Sequence, residues 1–260
     1  MTQKKAFYFS SRTVDIINYL LFPAIILLIW FYATTEGHVS ELLMPSIPSV
    51  AANIGDQIHT GQLQKDILIS LSSVLRGYFL GAALAIVIGV AMGLSARSNK
   101  FFALVMDSIR QVPGLAWFPL IILWFGVGDM AKIVLVARGA FFPVLINTIH
   151  GVQGINPAYR DLIRLYHVKR WDVITKLYIP SALPFVCTGL RLGAGMAWMS
   201  VVAAEMMGAT SGLGFRIITA QQLMKSNILI ADIIVIGILG WILDYGLKTI
   251  SRKAQSWKDA

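Results

Sequence analysis

Charge and cysteine are both scarce in this chain, and each scarcity excludes something. Only 13% of the 260 residues are charged against 57% hydrophobic, and the mean hydropathy is +0.70. A soluble domain carries about 25% charged residues, so this composition fits a protein that crosses a membrane several times. One cysteine, Cys187, stands inside an apolar run. It excludes a disulfide within the chain, and no Cys/His metal spacing appears. His38, His59, His150 and His167 are scattered and read as loop or interfacial residues, so no metal site is expected. The sequence has no G-x-x-x-x-G-K-[ST] phosphate loop and no G-x-S-x-G nucleophile elbow. No catalytic residue and no cofactor are therefore expected in this chain. The net charge of +9 could suit nucleic acid. The basic residues instead fall at the ends of apolar spans, which argues for lipid and against nucleic acid.

What the chain does have is apolar length. Lys4, Lys5 and Arg12 precede an apolar run at 16–33. At about 1.5 Å per residue it is long enough to span, and no A-x-A cleavage pattern follows, so it reads as a retained first span. Further runs lie at 76–95, 101–125, 131–149, 182–207 and 227–247. Lysine and arginine orient them. With the N-terminus inside, fourteen basic residues fall on the cytosolic side, against Lys65, Lys132, Arg216 and Lys225 outside. The expectation is an all-α polytopic membrane protein with six transmembrane helices and both termini cytosolic.

Three features inside the spans carry meaning. Gly77, Gly81, Ala85, Gly89 and Gly93 recur every four residues in the second span. They form a near-axial stripe that lets a neighbouring backbone approach closely, a packing seam that Gly189 and Gly193 could repeat in the fifth span. Pro113 and Pro119 flank Trp117 in the third span and predict a kinked helix. Kinks suit a transport path, although they also occur in passive bundles. Most membrane-depth charges have a local explanation: snorkelling for Arg76 and Arg191, a helix pair with Asp107 for Arg110. Arg138 and Glu205 do not. Two readings are open for them: groups facing one another across the outer half of the bundle to admit an anion, or a buried pair that fixes packing.

The long basic segment at 151–180 carries Arg160, Arg164, Lys169, Arg170 and Lys176 against Asp161 and Asp172. Asn156-Pro157 starts a helix well. Tyr159, Leu162, Ile163 and Tyr166 then share one face. Trp171, Ile174 and Tyr178 mark a second short amphipathic stretch, so the segment predicts a helix-turn-helix with an apolar surface. It suits a hairpin in the lipid interface or a knob that docks on a cytosolic partner.

This segment resembles the cytoplasmic loop of ABC-importer permeases, patterned E-A-A, three residues, G, nine residues, I-x-L-P. Asp161-Leu162-Ile163 stands at E-A-A, His167 at the glycine, and Leu177-Tyr178-Ile179-Pro180 at I-x-L-P. Downstream, IPSALPFVCTGLRLGAGMAWMSVVAAEMMGATSGLGF is similar to permeases of the nitrate, sulfonate, taurine and bicarbonate importers. RQVPGLAWFPLIILWFGVG and FFPVLINTIHGV look like the same group. The loop departs from the pattern at three points: a shortened acid, large apolar residues for two alanines, and histidine for glycine. Histidine is among the residues enriched at positive φ.

The resemblance implies a type I ABC importer permease-like bundle in a bacterial inner membrane, working as a homodimer. It implies a small solute such as nitrate, sulfonate, taurine or bicarbonate, delivered by an extracytoplasmic solute-binding protein. ATP and Mg would be bound by partner ATPase subunits docked on Tyr159, Asp161, Leu162, Ile163, Tyr166, His167, Val168 and Lys169. Arg138, Glu205, Pro113 and Trp117 are the candidate path residues. The expected division is residues 1–66 for the N-terminal segment, first span and extracytoplasmic connection, 67–250 for the permease core, and 251–260 for a cytosolic tail. The competing expectation is an ATP-independent secondary transporter or channel built from a six-span dimer. It leaves the loop's spacing without a reason.

Overall fold

The computed structural model describes residues 11–35, 39–156, 158, 159, 163, 165, 166 and 168–254, with residues 11–20, 170 and 254 described by backbone alone. Every regular element among them is helical. In chain order these are α1 Ser11–Thr35, α2 Ile47–His59, α3 Gln62–Leu94, α4 Ala96–Gln111, a 3-10 turn Gly114–Trp117, and α5 Phe118–Phe125. α6 Asp129–Gln153 follows. α7 Arg170–Val173 then runs through a π turn, Ile174–Tyr178, into α8 Ile179–Gly208, and α9 Leu213–Gln222 and α10 Ser226–Ala254 complete the fold. Among the described residues α3, α6, α10 and the continuous stretch Trp171–Gly208 are long and apolar enough to cross a membrane. The pair Ala96–Gln111 and Gly114–Phe125 makes a fifth crossing if it is one span, and Leu21–Thr35 is a shorter apolar helix.

Two spans differ from the sequence reading. The second was expected from residue 76, yet α3 begins at Gln62. Asp66, Ser70 and Ser73 lower the hydropathy of its first turns, yet all three are buried: groups outside α3 satisfy Asp66 and Ser70, and Ser73 donates to the Ile69 carbonyl of its own helix. The 66/67 division consequently falls inside a helix. The third span was expected as one kinked helix over 101–125. It is two helices bent by 97°. Val112 precedes a proline and is extended, with ψ 124°, as steric clash with the ring requires. The chain restarts as a 3-10 turn after Pro113, and Pro119 then sits in the first turn of α5, where its missing donor costs nothing.

α6 is the central helix. On one side the stripe of α3 lies against it: a Cβ at Gly77 would stand 2.6 Å from Val136 Cβ, one at Gly89 2.8 Å from Thr148 Cβ, and one at Gly93 2.6 Å from Val152 Cβ. On the other side Gly189 of α8 meets Asn147 and the Pro143 carbonyl, and Gly193 meets Val144 and Ala140. Between the seams Val136, Ala140 and Val144 are fully buried, with Ala85, Ala197 and Val201 facing them from α3 and α8. Without a hydrophobic drive between helices in lipid, such backbone proximity is what holds a bundle together.

The connection after α1 is helical too. Ser46 caps α2, accepting from Ser49 N–H, with Pro48 in the first turn. Gly61, at φ 73°, turns the chain into α3. α2 packs on α10, and Trp30 Nε1 donates to the Pro45 carbonyl at 3.0 Å.

Candidate translocation site

Arg138 and Glu205 do not meet. Each has its own set of partners, so the expectation that they face one another across the bundle is corrected. Arg138 reaches from α6 to the break between α4 and α5. Its guanidinium donates to the Ile109 carbonyl at 3.1 Å and to the Val112 carbonyl. A helix end leaves its last carbonyls without partners, and Arg138 supplies the donors. It also lies 5.8 Å from the centre of the Trp117 ring and 5.4 Å from that of Phe142, a cation–π arrangement. Three of the four path residues, Arg138, Pro113 and Trp117, are thus at one place. Among the described residues Arg138 Nε and Trp117 Nε1 are both buried donors without a protein acceptor.

Glu205 belongs to a buried polar cluster that the sequence reading missed. Its carboxylate accepts from Ser70 Oγ at 2.8 and 2.9 Å and from Gly214 N–H at 2.9 Å. Ser70 Oγ accepts in turn from Leu213 N–H at 3.0 Å, and Asp66 accepts from Gly212 N–H at 3.2 Å. Two carboxylates and a hydroxyl therefore satisfy the free N–H groups at the start of α9, where the helix dipole also favours negative charge. Gly212 has φ 105°, a conformation that L side chains rarely adopt. A side chain there, or at Gly214, would also run into Glu205. The AEM and GLG motifs are in this way two halves of one contact. Glu205→Ala is expected to lower stability by about 1–3 kcal/mol, because the buried Gly214 N–H and Ser70 O–H lose their acceptor. Glu205→Gln should cost less. Thermal unfolding of the purified variants in detergent checks the order.

Beside that cap Arg216 bridges two buried acids. It lies 3.3 Å from Asp66 and 3.0 Å from Asp232, and the three side chains are 11%, 3% and 0% exposed. The triad ties α3, α9 and α10 together. Sequence reading had counted Arg216 only as an outer loop charge, and the available signal was Asp232 in the apolar run of α10. Of two other charges, Arg110 pairs with Asp107 within its own helix at 3.6 Å as its local reading has it, whereas Arg76, read as snorkelling, lies 3.6 Å from Asp129 at the start of α6.

In the basic segment, Asp161, Leu162 and His167 lie outside the described residues. Asn156 accepts from Ala158 N–H at 2.9 Å, a local cap. Tyr159, Ile163 and Val168 line a depression of 330 Å³ with Val173 and Leu177. Tyr159, Tyr166, Val168 and Trp171 are all exposed, as is Lys169. Large apolar side chains here are left uncovered by their own chain.

The site is thus a central helix, α6, seamed by the small residues of α3 and α8, with a broken span on one side and a buried polar lock at the start of α9. Residues 77–255 match the family described as binding-protein-dependent transport system inner membrane component, and the chain belongs to that family. A protein of Bacillus subtilis (strain 168) named as an aliphatic sulfonates transport permease is 36% identical, over 93% of this chain and 87% of its own. The taurine transport system permease protein of Escherichia coli (strain K12) is 31% identical, over 90% and 87%. The fold is similar to a solved structure of the methionine ABC transporter MetNI in an inward-facing conformation, with TM-score 0.62 and 17% identity over 74% of this chain and 96% of that one. The protein is accordingly an inner-membrane ABC importer permease subunit and not an enzyme. An ATPase and a solute-binding protein are its partner classes.

Proposed function

We propose that the chain, as a pair of copies, forms the membrane path for a small solute bearing a sulfonate or a similar oxyanion group. The observation that carries this is the similarity to permeases named for aliphatic sulfonates and taurine across about nine-tenths of the chain. The unused donors of Arg138 and Trp117 at the α4–α5 break support the same reading, since oxyanions are acceptors only. Arg138, Trp117 and Pro113 then border the path. Glu205 acts on it through α9, which it caps. In this reading α1 is the first of six crossings, both termini are cytosolic, lipid surrounds the bundle, and residues 1–66, 67–250 and 251–260 keep the roles given above.

Two ATPase subunits, holding ATP and Mg, dock on the 151–180 segment. Exposed Tyr159, Tyr166, Val168 and Trp171 support a docking surface, because apolar knobs of this kind are what a groove on a partner takes up. Asp161, Leu162, Ile163, His167 and Lys169 complete it. ATP binding draws the ATPases together and shifts a two-state bundle through their differential affinity for its states. The test is co-purification from native membranes in mild detergent, with mass spectrometry of the bound subunits. The wild type is expected to bring down an ATPase. Changing Asp161 and His167 together should reduce its yield at least several-fold. A homodimer that carries no ATPase in either form would favour the ATP-independent transporter.

A further inference from the structure

Between α4 and α6 lies a cleft of 310 Å³ whose two walls are matched helical faces. On α4 the wall is Asn99, Ala103, Met106 and Arg110, spaced four, three and four residues apart as one face requires. On α6 it is Phe142, Ile146, Ile149 and Gln153, at the same spacing. The helices run antiparallel, because Arg138, one turn before Phe142, donates to carbonyls at the far end of α4. Asn99 is therefore level with Gln153, and Arg110 with Phe142. None of α4's residues is buried, so the two faces stand apart and leave a cleft.

Its depth follows from the spans at 101–125 and 131–149. Asn99, His150 and Gln153 fall just beyond the cytosolic ends, while Arg110 and Phe142 lie about 14 and 10 Å further in. The cleft is thus a vestibule open to the cytosol, and it ends where Arg138 begins. The Phe142 ring in its inner wall has the Arg138 guanidinium 5.4 Å from its centre.

The lining is amphipathic. Arg110 and Asp107 both border the cleft, 42% and 67% exposed and 3.6 Å apart, which is longer than a hydrogen bond. Among the described residues no hydrogen bond occupies the Arg110 donors. Met106, Ile146 and Ile149 supply apolar surface beside them. We infer that this cleft holds the solute on the cytosolic side of the α4–α5 break, with Arg110 on its oxyanion and the apolar wall against a short aliphatic body. A guanidinium fork matches such an oxyanion as it matches a carboxylate, and apolar walls with a few placed polar groups are what bind a small molecule. Asp107 competes for the fork and keeps the hold weak enough for release. An anionic lipid headgroup shares this chemistry, and the experiment separates the two. The inference rests on the oxyanion reading and on the orientation given above.

The importer with its ATPase is taken in inside-out membrane vesicles. Cys187→Ser removes the native thiol, and Ala103→Cys sets one in the α4 wall. Its modification rate is measured with anionic sulfonatoethyl methanethiosulfonate and with the cationic trimethylammonioethyl reagent, each with and without ethanesulfonate as competitor. Both impermeant reagents are expected to react, and ethanesulfonate should slow them several-fold. Arg110→Gln should abolish that protection and lower the anion-to-cation rate ratio on the order of tenfold, the effect of one charge a few ångströms away in a wet site. Asp107→Asn should strengthen the protection. Arg110→Lys should keep the ratio within a few-fold, and it serves if the glutamine variant fails to assemble.

A thiol that reacts only in right-side-out vesicles would overturn the cytosolic placement. No protection by ethanesulfonate, or protection unchanged in Arg110→Gln, would overturn the site. In discs of phosphatidylcholine the protection should persist, and a thiol shielded only once phosphatidylglycerol is added would give the cleft to lipid and overturn the inference. Arg110-dependent protection without sulfonate or taurine uptake would sink the solute reading alone. Uptake without Arg110-dependent protection would sink the cleft site alone.

Discussion

Arg216→Ala is expected to destabilise the solubilised protein by about 3–5 kcal/mol, the usual penalty for removing one member of a buried charged cluster. Asp66 and Asp232 are 2% and 0% exposed and share this one guanidinium. Without it, two carboxylates are left in a site that water does not reach, and Asp66 also holds the Gly212 N–H at the start of α9. Unfolding measured by size-exclusion recovery after heating should therefore shift sharply downward. Adding Asp66→Asn and Asp232→Asn to Arg216→Met removes the charges together and should recover much of the loss, since buried ion clusters are often matched by neutral replacements. An Arg216→Ala protein as heat-resistant as the wild type would mean that the triad does not join α3, α9 and α10.

The second large effect is expected at the α3–α6 seam. At Gly81 even a single added carbon would fall on the backbone of Ala137, where no side chain can rotate away. Gly81→Ala is expected to force the helices apart at a cost of about 1–3 kcal/mol, as overpacking does. Gly81→Leu should prevent a stable bundle from accumulating in the membrane. Gly55 and Gly246, which have open space around a Cβ, provide the controls: alanine there should leave the yield of folded protein unchanged. The comparison is read as monodisperse protein recovered per cell. Equal recovery for Gly81→Leu and Gly246→Ala would remove the seam from the account of stability.

Periodicity found the seam, because a four-residue repeat of small side chains is a local property of one helix and needs no partner to be seen. The same held for apolar length, the Asn156 cap and the Asp107–Arg110 pair, where both groups lie within four residues of each other. Hydropathy failed where polar residues are paid for by distant ones. Asp66 and Ser70 looked like the edge of a loop, yet they are buried in α3 because α8 and α9 bring Glu205 and the Gly212 and Leu213 amides to them. Pro113 and Pro119 announced a disturbance of the third span, but not that Arg138 of α6 would donate to the carbonyls left free at the 97° bend.

By itself, then, the sequence determined that this chain is helical, lives in a membrane, contains no phosphate-loop motif and offers a basic loop with an importer's spacing. Each of these depends on composition or on residues close together in the chain. Only the tertiary structure decided which charges are locks and which face open space. Glu205 became a helix cap, Arg216 a bridge, Arg138 the closure of a break, and Arg191 half of an exposed ion pair with Asp244. The physical reason is that a charge in a low-dielectric surrounding takes its role from its partners, and for these four residues the partners lie between 9 and 150 positions away along the chain.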